Sequence, residues 1–199
     1  MSVRVLDIAA QIRDNASHSL VYLVGVDGLG ASGKTRFAQQ IHQYLEGVNA
    51  VVATIHNDDF YLPSTQRIQL PGHLKPVGAD FDWLRLREQV LLPLRSSHTA
   101  KYARYDWHSD QLGDFHEVQP QGIVLIEGVY STRVELRDLY DFRLWVDCPR
   151  QLRLRRGLAR NGQAARSRWL EDWMPAEDRY CAEHQPHSFA HAVVDGAAT

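Results

Sequence analysis

Cysteine is nearly absent from this chain: Cys148 and Cys181 are the only two in 199 residues, far apart and outside any metal-ligand spacing. That argues against a disulfide-stapled scaffold and makes a reducing, cytoplasmic compartment the expectation. Neither charge sign dominates. The 22 Lys and Arg against 24 Asp and Glu leave a net charge of −2, which gives no support to a nucleic-acid partner. No apolar run approaches the roughly 18 residues that a membrane span needs, and the first residues lack a signal-peptide pattern, so no membrane partner is expected. The ten histidines are scattered and read as surface and loop residues. No internal repeat or linker divides the chain, so its length suits one domain (1–199) that buries about 70% of its unfolded surface.

What the sequence does contain is Gly28-Leu29-Gly30-Ala31-Ser32-Gly33-Lys34-Thr35, preceded by the apolar run Leu20–Val26. It fits the phosphate-loop template of two glycines, then Lys, then Ser or Thr. The glycines Gly28, Gly30 and Gly33 let the backbone turn tightly, so that N–H groups of Ala31, Ser32 and their neighbours converge on one polyphosphate. Lys34 adds a point charge for the outer phosphates, and the Thr35 hydroxyl suits a magnesium ion. A helix beginning near Gly33 would aim its positive end at the same anion.

Around this loop, strand and helix patterns alternate. Val5, Leu6, Ala9 and Ile12 give an N-terminal helix within 1–19, and Phe37, Ile41, Tyr44 and Leu45 give a helix over 34–46 ending at Gly47. Asn49–Ile55 is a second strand that breaks into His56-Asn57-Asp58-Asp59-Phe60-Tyr61. Residues 64–79 are rich in Pro and Gly and read as a flap. A helix over about 81–95 follows, then a hairpin within 98–119 whose strands (101–107 and 115–118) turn at Gly113. Buried strands at Gly122–Gly128 and Phe142–Asp147 come next. Pro149 opens a basic helix with five arginines from Arg150 to Arg160 and no acid among them. Asn161-Gly162 interrupts it, a long helix spans about 165–183, and a last strand closes the chain near 192–196. The pattern predicts a parallel sheet with helices on both faces.

Several of these segments resemble, in order, the uridine kinase and phosphoribulokinase-like family of P-loop kinases. They are Gly28–Thr35, Asn57–Tyr61, Asp80-Phe81-Asp82, Tyr105-Asp106, Ile126-Glu127-Gly128, Trp145-Val146-Asp147, the Arg155-Arg156…Arg160 helix and Val193–Gly196. The resemblance implies a P-loop NTPase three-layer α/β/α sandwich with a mainly parallel sheet, an edge β-hairpin and a helical lid (155–168). It also implies ATP and Mg2+ and a small-molecule hydroxyl substrate, and leaves room for a homo-oligomer. By position, Asp58 would act as base on the acceptor hydroxyl and border the metal, with Asp59 as its neighbour. Glu127 would hold magnesium with Thr35, or else cap the next turn as a strand-end acid. Asp82 would grip the diol of a ribose, or simply N-cap the following helix. Tyr61, Tyr105 and Trp107 would line the pocket for a flat base, or sit in the core. Arg156, Arg160 and Arg166 would close over the triphosphate, against the plainer reading of a solvated basic face. The chain departs from the nucleoside enzymes in its lid, hairpin and flap. Uridine or cytidine leads as acceptor, with pantothenate, glycerate, a sugar or nicotinamide riboside as alternatives. A nucleotide-binding switch protein is the reading from another class.

Overall fold

The computed structural model describes residues 3–72 and 74–198. Met1, Ser2, His73 and Thr199, the ends of the expected domain and one flap position, lie outside the described residues. The strands are β1 (Val21–Asp27), β2 (Val52–His56), β3 (Ala100–Asp106), β4 (Gln111–Val118), β5 (Gly122–Glu127), β6 (Phe142–Asp147) and β7 (Ala192–Asp195). Five of them form one parallel sheet in the order β2-β5-β1-β6-β7, and β3 pairs antiparallel with β4 apart from it. β1 and β5 are covered on both faces and accordingly read as unbroken apolar runs.

The helices divide between the two faces. Tyr22, Val24 and Val26 of β1 meet Val5, Ala9 and Ile12 of α1 (Val3–Ala16) and Phe37, Ile41 and Leu45 of α2 (Lys34–Gly47). Leu23, pointing the other way, joins Ile55, Val124 and Ile126 against Leu86, Val90, Leu91 and Leu94. Each such fully buried aliphatic side chain contributes about 1.5–3 kcal/mol. α2 ends at Gly47, as expected, and the chain reverses two residues on at Asn49, whose φ is 58°.

Two long helical stretches contain a proline, and both widen just before it. α3 (Trp83–Leu86) passes through a π-type turn (Arg87–Leu91) into α4 (Leu92–Arg95), which carries Pro93. Beyond α5 (Arg150–Asn161) and the short α6 (Arg166–Arg168), a second π-type turn (Trp169–Trp173) leads into α7 (Met174–His184), which carries Pro175. A proline removes one N–H donor and its ring crowds the carbonyl four residues back; a wider turn relieves both.

The hairpin differs from expectation. Its turn lies at Trp107–Asp110, where the Asp106 carboxylate accepts from His108 N–H at 2.9 Å and Ser109 Oγ at 2.7 Å. Gly113 belongs to β4: Ala103 faces Phe115 while Tyr105 faces Leu112, so Gly113 and Asp114 together oppose Arg104 in a β-bulge.

Candidate active site

β1 ends in Asp27, and the phosphate loop turns from there into α2. Asp27 is fully buried and holds the turn together: its carboxylate accepts from Gly28 N–H (2.7 Å), Thr132 N–H (2.9 Å), Thr132 Oγ1 (2.7 Å) and the Tyr180 hydroxyl (2.6 Å). Burial pushes its pKa up, and these four donors oppose the rise. Within the loop, Ser32 N–H donates to the Leu29 carbonyl at 3.1 Å. Gly33 takes φ 99° and Ala31 φ 59°, an arrangement that curls successive N–H groups inward. The amides of Ala31, Gly33, Lys34 and Thr35 find no partner among the described residues. They form a cradle for an anion.

Beside the cradle lies a cavity of about 250 Å³. The carboxyl ends of β1, β2 and β5 supply its floor, the usual site of chemistry in an open α/β sheet. Lys34 and Thr35 enter from the loop, Asp58 from the turn after β2, and Glu127 from the end of β5. Thr35 Oγ1 donates to Glu127 Oε1 at 2.8 Å, and His56 Nδ1 lies 2.8 Å from Glu127 Oε2. Burial works against the Glu127 charge, but His56, Lys34 and Thr35 outweigh it and hold its pKa down; the same contact raises that of His56. A hydroxyl and an ionised carboxylate side by side, facing a phosphate cradle, suit magnesium, which takes one or two protein oxygens and completes its shell with phosphate and water. Among the described residues no group of three or more acidic, His or Cys side chains offers a metal site by itself.

Asp58 is exposed and opens onto the cavity. Desolvation raises its pKa, Lys34 lowers it, Glu127 raises it, and His56 and Arg160 lower it. Its carboxylate makes no hydrogen bond among the described residues. Asp59 faces elsewhere, 3.2 Å from Arg104 Nε and within 3.2 Å of the Tyr102 hydroxyl. Two adjacent carboxylates thus have separate surroundings, one in the cavity and one in an ion pair under the hairpin.

The rest of the wall comes from the flap and the segments after α5. Residues 60–62 run antiparallel to 80–82, with Leu62 N–H donating to Asp80 O at 2.9 Å and Asp82 N–H to Phe60 O at 2.8 Å. This clasp carries Tyr61 and Phe81 into the cavity, and Trp107 stacks on Tyr61 at 4.9 Å. Gly72 of the flap packs directly against the Asp172 backbone, so the flap meets the π-type turn before α7 over the site.

Several expected site residues stand elsewhere. Asp82 N-caps α3 by accepting from Arg85 N–H at 3.0 Å and does not line the cavity; Asp80, two residues earlier and 3.1 Å from Lys75 Nζ, does. Tyr105 is buried behind Tyr61 with its hydroxyl on Asp110 at 2.6 Å. Arg156 turns to the back of the phosphate loop, donating to Gly196 O (2.8 Å) and Ser32 O (3.4 Å). Arg160, one turn on, does reach the cavity, whereas Arg166 is exposed and Arg168 lines the wall instead. Arg67, Lys75, Tyr130, Trp169, Trp173 and Glu177 also line it. Of these, Arg67 and Lys75 fall in the expected flap and Trp169, Trp173 and Glu177 in the helix expected over 165–183, while no signal in the sequence marked Tyr130.

A family model described as the phosphoribulokinase/uridine kinase family matches residues 23–179. Among curated proteins, the uridine kinase of Staphylococcus haemolyticus is 26% identical over 144 residues, covering 70% of this chain and 68% of that one. The uridine kinase of Bacillus subtilis is 28% identical over 143 residues, covering 70% and 66%. Among solved structures, a protein described as a possible uridine kinase from Bacillus stearothermophilus shares the fold with TM-score 0.76 at 24% identity, over 97% of this chain and 100% of that one. D-glycerate 3-kinase from Cryptococcus neoformans shares it with TM-score 0.65 at 14% identity, over 100% and 98%.

Proposed function

The chain belongs to the phosphoribulokinase/uridine kinase family, and from that premise we propose that it transfers the γ-phosphate of ATP to a hydroxyl group of a small metabolite, with the 5′-hydroxyl of uridine or cytidine as the first acceptor to test. The observation that carries the reading is an unengaged carboxylate, Asp58, facing the same cavity as Lys34 and the free loop amides. A switch protein needs the cradle and the metal site but no acceptor base. The aromatic lining of Tyr61, Phe81 and Trp107 supports an acceptor with a flat ring. The two cysteines are free, which fits a reducing compartment, and no described helix is long and apolar enough to cross a membrane.

In this mechanism the amides of Ala31, Gly33, Lys34 and Thr35 hold the phosphate chain while the Lys34 ammonium offsets its charge. Thr35 and Glu127 would hold Mg2+, which screens the phosphates and fixes their orientation. Asp58 accepts the proton of the acceptor hydroxyl as the new O–P bond forms and the bond from Pγ to the bridging oxygen breaks, leaving ADP. Its raised pKa makes it a better base than an ordinary surface aspartate. Arg160 adds positive charge at the cavity's other wall. Flap and lid keep water from competing as acceptor.

A second reading, an acceptor bearing a carboxylate such as glycerate or pantothenate, is favoured by Arg168. It lines the cavity with its guanidinium over Trp173 at 5.3 Å and has no acidic partner within ion-pair distance among the described residues. Incubating the protein with ATP, Mg2+ and a panel of nucleosides, sugars and hydroxy acids tests both readings. The true acceptor gains about 80 mass units. A panel in which nothing gains phosphate while ATP still binds would favour the switch.

A further inference from the structure

Two buried charges sit against the phosphate loop and take no part in the transfer chemistry. Arg153 on α5 and Glu177 on α7 pair at 2.7 Å, with side chains 3% and 6% exposed. The second oxygen of Glu177 accepts the Gly30 N–H at 2.8 Å. On its other side Gly30 meets the ring of Trp169, so a Cβ there would lie 2.6 Å from Glu177 Oε1 and 3.2 Å from the indole. Burying two charges costs several kcal/mol per ion, so such a pair survives only where the geometry repays it. Here the return is loop shape. Gly28 and Gly30 give their N–H groups to the carboxylates of Asp27 and Glu177, Ser32 gives its own to Leu29, and Ala31, Gly33, Lys34 and Thr35 keep theirs for an anion.

We infer that Glu177 is a positioning residue, which holds the Gly30 peptide in the one orientation that lets the four free amides converge on phosphate, with Arg153 holding Glu177 in place. The inference rests on the phosphate-binding reading of this same loop. The pair also ties α5 and α7, the two helices that flank residues 162–173, to the loop.

The test measures tripolyphosphate binding by calorimetry, without acceptor or metal, together with thermal unfolding. Arg153→Met with Glu177→Met removes both charges at similar volume and deletes the acceptor for Gly30. Arg153→Met with Glu177→Gln removes the charges but keeps a carbonyl for it. Neutral, well-packed replacements of buried pairs are often tolerated, so both proteins should melt near the wild type. The first should bind tripolyphosphate about tenfold more weakly, the worth of one hydrogen bond to a charged acceptor, and the second within about threefold of wild type. Equal binding by the first variant would reduce the pair to a structural role. Tighter binding would make Glu177 a competitor of phosphate. In the unmutated protein the Gly30 amide should stay protected from exchange when tripolyphosphate binds; loss of protection overturns the inference whether or not the variants fold. Lys34→Ala separates the two levels: if it leaves tripolyphosphate binding intact, the phosphate-loop reading itself fails.

Discussion

Replacing Asp58 by Asn tests the proposed chemistry with little structural disturbance. The carboxylate makes no hydrogen bond among the described residues, so the amide that replaces it breaks no contact. Stability should therefore change by less than about 0.5 kcal/mol. The substitution also removes a negative charge from beside Lys34 and the phosphate cradle, so ATP affinity should hold or tighten slightly. Transfer should fall by about 10²–10⁴-fold, the contribution of a positioned general base, or roughly 2.7–5.4 kcal/mol at 1.36 kcal/mol per tenfold. Turnover with the identified acceptor and calorimetric ATP binding supply the two readings. The pH profile adds a third: because desolvation raises the pKa of Asp58, the wild-type rate should fall on acidification above the ordinary aspartate range, and that limb should vanish in Asp58→Asn. Asp59→Asn is the control. It loses an ion pair with Arg104, itself 43% exposed, and should leave turnover nearly unchanged. Asp58→Asn retaining more than a tenth of wild-type turnover, or Asp59→Asn losing as much as Asp58→Asn, would refute the assignment.

Gly157→Ala sets two effects against each other: about 1 kcal/mol gained in helix propensity against 1–3 kcal/mol for forcing a methyl into the fully buried Trp169 ring. Denaturant unfolding should show a net loss of up to about 2 kcal/mol, and a gain would mean that the indole yields easily. Arg156→Ala and Arg160→Ala should separate, although they lie one turn apart. The first frees the Gly196 and Ser32 carbonyls and should cost about 1–3 kcal/mol of stability. The second should leave the melting temperature alone and slow transfer, and equal melting losses would contradict the placement. For His56, contact with Glu127 raises the native pKa, so the stabilisation is complete below its unfolded value near 6.5 and is lost as pH rises through the raised native value. The melting difference between wild type and His56→Ala should accordingly shrink toward alkaline pH, and a difference that grows there would reverse the sign.

The parts of this molecule that were legible in the sequence are those whose cause is local. The phosphate loop announces itself because a tight turn, a helix start and a lysine must be contiguous, and the central strands because burial on both faces demands unbroken apolar runs. Asp58 and Glu127 were legible for a related reason: Glu127 is the last residue of β5 and Asp58 lies two residues past β2, so the sheet fixes where both stand. The sequence left alternatives open where one residue's partner is set by distant chain. Asp80 and Asp82 are two residues apart, and where α3 begins decides which is the helix cap and which the cavity carboxylate. Tyr105 and Trp107 are separated by the end of β3: both rings touch Tyr61, but only Trp107 lines the cavity. The arginines of α5 show the limit most clearly. Arg153, Arg156 and Arg160 share one helical face and read as a single basic stripe, but they meet a buried glutamate, backbone carbonyls and an open cavity in turn. Helical spacing tells which side chains point together. It carries no information about what stands opposite them, and here that is what separates an arginine tied to backbone carbonyls from one that opens onto the cavity.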